Sequence, residues 1–166
     1  MRALYLEPLH RLTGLAPLVV RVLVGIIMAA HGLQKLQVGP ATFGLVLSEL
    51  GVPLPTFMAY VVTLVEFVGG ILLIVGLLSR FAALLLTIDL VMAILLVKVH
   101  VGLLSPQSGP PPGAELDLGL IAGFLVILLA GPGRLSLDYL LGHEGDVVQE
   151  EGPARRRGKT RRLPGR

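Results

Sequence analysis

Eight ionisable side chains stand inside or at the edges of long apolar runs: His31, Lys35, Glu66, Asp89, Lys98, His100, Glu115 and Asp117. An ionisable group within hydrocarbon is costly, and by default it marks a functional site. Carboxyls and imidazoles exchange protons, and ammonium groups stabilise developing anions. This set of side chains suits a buried site that exchanges protons and stabilises a developing negative charge. On these grounds Glu66, His31 and Asp89 are the candidate catalytic groups. His31, Lys35, Glu66, Lys98, His100 and Asp117 are the candidate substrate-binding groups.

Their spacing carries the argument further. His31 and Lys35 lie four residues apart and therefore share a helix face. The second and third apolar segments meet at a tight turn around Ser79. Glu66 lies roughly 13 residues and Asp89 roughly 10 residues from that turn, a depth of about 15–20 Å at helical rise. Two carboxyls on neighbouring helices would then face each other near the midplane, where like charges repel and a shared proton relieves them. The same count puts His31 at roughly 22 Å and Lys35 one turn beyond. Lys98 and His100 reach the outer level of the third segment, and Glu115 and Asp117 open the fourth.

Every one of these positions also has a plainer reading. Lys35, Lys98 and Arg21 can snorkel to head groups. Asp89 can bond a neighbouring helix, Glu115 and Asp117 can be interfacial charges, and His100 can belong to a loop. Glu66 resists such a reading, because its short side chain cannot reach water from that depth.

The elements that must position these groups are apolar and long. A transmembrane helix needs about 20 predominantly apolar residues, and four segments approach this: about 16–36, 56–78, 80–103 and 116–131. The expected fold is an all-α membrane protein, an antiparallel four-helix transmembrane bundle. Residues 1–15 form an N-terminal segment, 16–141 the membrane domain, and 142–166 a basic tail expected to be disordered. The first segment is too long for a signal-peptide core and three more follow, so it is read as retained. Arg2, Arg11, Arg80, Arg134 and the tail fall on one side of four spans, whereas 37–55 and 103–116 carry no Lys or Arg. By the positive-inside rule both termini are cytoplasmic, in a multi-pass protein of the cell membrane. The connections are Pro/Gly-rich, notably "SPQSGPPPGAE", and are expected to be irregular.

Composition narrows the chemistry. Of 166 residues 54% are hydrophobic and only 15% charged, against about 25% charged in an ordinary globular domain. There is no cysteine, so the chain itself offers no thiol nucleophile, thiolate zinc site or iron–sulfur ligation. The basic excess sits in "RRRGKTRR" outside the apolar body, which argues for a cytoplasmic tail and against nucleic acid as a partner. Small residues (Gly25, Ala29 and Gly32; Gly69 and Gly70; Gly119 and Gly123) suit close helix packing.

Three stretches, "RVLVGIIMAAHGLQKL", "LVEFVGGILLIVGLLSRFAALLL" and "GPGRLSLD", together resemble the DoxX family of small four-helix membrane proteins, which is related to DoxD and MauE. The resemblance covers about residues 17–140. It matches His31, Gly32 and Lys35 to an HGxxK element and Glu66, Gly69 and Gly70 to an E-x-x-G-G element. Arg80 corresponds to the basic residue that follows, and Gly131, Gly133, Arg134, Ser136 and Asp138 to the closing motif. The resemblance implies membrane-associated oxidoreductase complexes that handle oxidative and thiol stress. DoxD proteins are subunits of a thiosulfate:quinone oxidoreductase, and MauE assists maturation of a periplasmic dehydrogenase.

The expected function is an integral membrane subunit of a redox system that binds a quinone-like carrier and relays protons. No electron-carrying cofactor motif is evident in the sequence, so a partner redox protein would supply electrons, and no intrinsic cofactor or metal site is expected. A haem between His31 and His100 is disfavoured by their different depths. Two alternatives stand beside this reading: a non-catalytic scaffold or maturation factor for an extracytoplasmic redox enzyme, and a small proton-coupled transporter assembled as a homo-oligomer.

Overall fold

In a computed structural model, residues 13–104 and 113–142 are described, and every regular element among them is helical. The order is α1 (Ala16–Val38), α2 (Pro40–Glu49), α3 (Pro55–Val75), α4 (Ser79–Leu96), α5 (Glu115–Ala130) and α6 (Leu137–Leu140). A short 3-10 turn, Lys98–His100, follows α4. The basic tail, residues 1–12 and most of the "SPQSGPPPGAE" connection lie outside the described residues.

Each helix boundary has a local cause. Pro17 lies in the first turn of α1, where its missing N–H costs nothing. Gly39 ends α1 with its N–H on the Lys35 carbonyl, and Pro40 then starts α2 at once. The sequence reading treated 37–55 as loop and missed α2; a proline directly after a helix-ending glycine was the available signal. The second apolar segment stops at Val75, not Leu78, because Gly76 adopts a left-handed conformation (φ 74°) and returns its N–H to Leu72. The third stops at Leu96, well short of 103, so His100 lies beyond the helix.

Among the described residues, three helices are long and apolar enough to cross a membrane, over residues 13–38, 55–75 and 79–96. With 16 residues, α5 spans about 24 Å of rise, short of a hydrocarbon core about 30 Å thick. It is nonetheless the fourth wall of a closed ring, in which α1 packs on α3, α3 on α4, α4 on α5, and α5 back on α1. Met28, Leu73, Leu86, Phe124 and Ile127 fill the middle. The outward faces carry large apolar side chains such as Leu23, Leu64, Ile88 and Met92. Apolar surface this extensive belongs in lipid, not water.

The seam between α1 and α3 is close and antiparallel. A Cβ on Gly32 would lie 2.3 Å from the backbone nitrogen of Phe67, and one on Gly25 would lie 2.8 Å from the Gly70 carbonyl. This approach fixes the rotation of α1 about its axis, and so decides which of its side chains point inward. It also defines two ends of the bundle. The Arg21 end gathers the start of α1, the α3–α4 turn, the end of α5, and α6. The Lys35 end gathers α2, the end of α4 and the start of α5.

Candidate functional site

At the Lys35 end two ion pairs cross between helices. Lys35 of α1 reaches the Glu66 carboxylate of α3 through Oε1. Lys98, just beyond α4, pairs with Asp117 in the first turn of α5. Glu66 is only 3% exposed and Asp117 4%. Both carboxylates are thus removed from solvent and held by the longer, half-buried lysines, whose stems cross apolar surface to reach them. The pairing replaces the snorkelling reading of both lysines.

Around the first pair the site has two more parts. The ring of Phe43, on α2, lies 5.0 Å from the Lys35 ammonium, a cation–π distance. Asp89 of α4 lies beside Glu66 and interacts electrostatically with it, with Lys35 and with Asp117. The expected facing of Glu66 and Asp89 is thus present. The second Glu66 oxygen, Oε2, is buried without a hydrogen-bond partner. Lys35, Glu66 and Asp89 therefore form a chain from α1 through α3 to α4, with one buried acceptor oxygen still available.

The two histidines stand apart from this chain. His31 is half-buried and makes no hydrogen bond or ion pair among the described residues. His100 is exposed on its 3-10 turn. Glu115 is exposed, and its N–H bonds the Leu103 carbonyl at 3.0 Å, while Ala114 N–H bonds Gly102. These two bonds clasp the base of the 103–114 connection. Among the described residues, no three His, Cys, Asp or Glu side chains gather as metal ligands would.

On the other side of Asp89 a cleft of about 230 Å³ opens between α3 and α4, with Leu47 of α2 at one end. Apart from Asp89 its lining is apolar, including Val62, Val65, Leu85, Ile88 and Met92. Neither the cleft nor Phe43 was found in the sequence, because both depend on α2 folding over α3.

The Arg21 end uses its charges differently. Arg21 is 2% exposed, so it does not snorkel. It donates through Nη2 to the Leu135 carbonyl, and Asp138 is its anionic neighbour. The Asp138 carboxylate accepts from the N–H groups of Leu78 (2.7 Å) and Ser79 (2.8 Å), capping α4. Its own N–H returns to the Gly76 carbonyl at 2.8 Å. Ser136 caps α6 by accepting from Tyr139 N–H, and Arg80 donates to the Leu128 carbonyl at 2.6 Å. The closing motif is therefore a strap that ties the ends of α1, α3, α4 and α5 together.

A ring of long apolar helices with ion pairs sealed inside it defines a small multi-pass membrane protein. The chain belongs to the DoxX family, whose model matches residues 16–99, from the start of α1 to the 3-10 turn, as the sequence motifs implied. It is 39% identical over 132 residues to an uncharacterized membrane protein of Mycobacterium tuberculosis, covering 74% of this chain and 78% of that one. It is 36% identical over 124 residues to a Bacillus subtilis protein named "Putative oxidoreductase CatD", covering 73% of this chain and 83% of the relative. No solved structure matches.

Proposed function

We propose that this protein is an integral membrane subunit of a redox system, binding a quinone-like lipid-soluble carrier and relaying protons to it while a partner protein supplies electrons. The observation that carries this reading is the Lys35–Glu66–Asp89 chain, with its free Glu66 oxygen buried and Asp89 opening onto an apolar cleft. Reducing a quinone to a quinol takes two electrons in all and adds one proton to each of its two carbonyl oxygens. Neighbouring carboxyls can pass such protons, and Lys35 can steady the negative charge that develops. The name of the Bacillus relative, an oxidoreductase, agrees with this assignment. The distribution of Lys and Arg favours both termini on the cytoplasmic side.

The test is purification in mild detergent, followed by lipid extraction and a thermal-stability titration with a short-chain benzoquinone. Co-purified quinone and a saturable stabilisation, both diminished in Glu66→Gln, are expected. A preparation that carries no quinone and shows no shift would remove the assignment.

The internal pairing of both lysines favours a second reading, a non-catalytic scaffold in which the charges specify bundle packing. The neutral and near-isosteric Glu66→Gln would then leave complex assembly and activity unchanged.

A further inference from the structure

The cleft between α3 and α4 lies unfilled at the level of Asp89. Its volume of about 230 Å³ exceeds the roughly 150 Å³ that admits a benzene ring into an apolar protein cavity. Two of its residues, Ile88 (52% exposed) and Met92 (47%), stand on the outward face of α4. That face carries apolar side chains along its length, so the mouth opens sideways toward hydrocarbon. Methionines at positions 58 and 92 line the slot, and their flexible thioethers adapt to aromatic faces.

Asp89 is the one ionisable residue in the lining. Its far side adjoins Glu66, which is sealed behind it and does not reach the slot. An acidic residue in the wall of a hydrocarbon-accessible slot is expensive, and a leucine there would serve packing alone. An acyl chain entering the slot would find no use for the carboxyl, whereas a flat ring bearing a carbonyl or hydroxyl oxygen would meet it with a hydrogen bond.

We propose that the α3–α4 cleft is the lateral entrance and binding slot for the ring of a quinone-like carrier, admitted directly from the bilayer with a ring oxygen on Asp89. The proposal rests on the redox reading above and adds the route and the seat. Asp89 is then the contact residue, and Glu66 and Lys35 act through it from behind. Neither histidine takes part, since neither lines the slot.

The chain contains no tryptophan, so a single introduced indole reports on its own surroundings. Met92→Trp places one at the mouth. Leu33→Trp places one on α1, a helix that does not line the slot, at a similar 44% exposure and near the depth of Glu66. Titration of the detergent-purified full chain with a short-chain benzoquinone is expected to quench Met92→Trp saturably. Half-saturation should fall about tenfold below the concentration that quenches Leu33→Trp to the same extent, a difference of about 1.4 kcal/mol. Adding Asp89→Leu should abolish the saturable part. Ile88→Trp serves as a second mouth probe, judged on preparations whose circular dichroism matches the parent chain.

Equal, non-saturating quenching at the mouth and on α1 would overturn the slot. If the parent chain still gains thermal stability from the benzoquinone, the redox reading survives with its ligand seated elsewhere; if that shift is also missing, both fall. Saturable quenching by brominated phospholipid that the benzoquinone cannot displace would likewise overturn the proposal, assigning the slot to an acyl chain.

Discussion

The two ends of the bundle spend similar side chains on different tasks. At the Arg21 end the charged groups hold backbone: Arg21 donates to the Leu135 carbonyl, and Asp138 accepts from two N–H groups at the start of α4. At the Lys35 end they hold each other across helices, Lys35 with Glu66 and Lys98 with Asp117. A charge bonded to backbone fixes the chain's path and has little freedom left. A charge paired to a side chain can exchange its partner without unfolding a helix. The first end is therefore built for stability, and the second is where the proposed proton relay has its partners.

Substitutions should separate the two roles. The largest effect is expected from Asp138→Ala, which strands the N–H groups of Leu78 and Ser79 and removes the anion beside the buried Arg21 guanidinium. Leaving a backbone N–H without its acceptor costs about 1–3 kcal/mol, more where the lost acceptor is charged, so the thermal midpoint in detergent should fall steeply. If the midpoint stays within a degree or two of the parent, the strap is not structural. Gly32→Ala comes next, because its Cβ would meet Phe67 backbone that cannot move aside. Overpacking of this kind costs about 1–3 kcal/mol, and displacing α1 should weaken the Lys35–Glu66 contact along with the fold.

Smaller effects belong to the Lys35 end. A double-mutant cycle of Lys35→Met and Glu66→Gln should give a coupling on the order of 1–2 kcal/mol, reduced because the lysine side chain is 23% exposed. Each single variant should lose the benzoquinone response while keeping most of its stability. Coupling near zero with the response intact would erase the contrast between the ends. The smallest expected change is from Phe43→Leu, which removes a cation–π contact worth about 0.5–1 kcal/mol at a partly exposed site. Its signature is a modest loss of thermal stability with the helical content of α2 retained.

Much of this architecture is legible in the sequence, and the failures are instructive. Three of the four expected spans were legible because long runs of apolar residues have few other destinations, and Glu66 stood out because no exposed route exists from its depth. Arg21 was misread: its position allows snorkelling, and only the return of residues 131–140 across the bundle end buries it. Counted depth puts His31 nearer to Glu66 than Lys35, yet the lysine makes the contact. The helix over 40–49 was missed because a short, glycine-bearing stretch without Lys or Arg between two spans reads as a connection. It became a helix against α3, where Gly44 lets it approach Thr56.

By itself, then, the sequence determined what hydrophobic length and helical rise control: a helical membrane protein, the depth of each charged group, and the motifs of the DoxX family. Those quantities are local, and each can be counted along one segment. Tertiary structure decided the rotation of each helix about its axis, the partner of each lysine, the burial of Arg21, and the cleft beside Asp89. These depend on the contacts of Gly25, Gly32 and Gly70 between α1 and α3 and on α2 folding over α3. No single segment carries that information, because close packing between helices distant in sequence sets it.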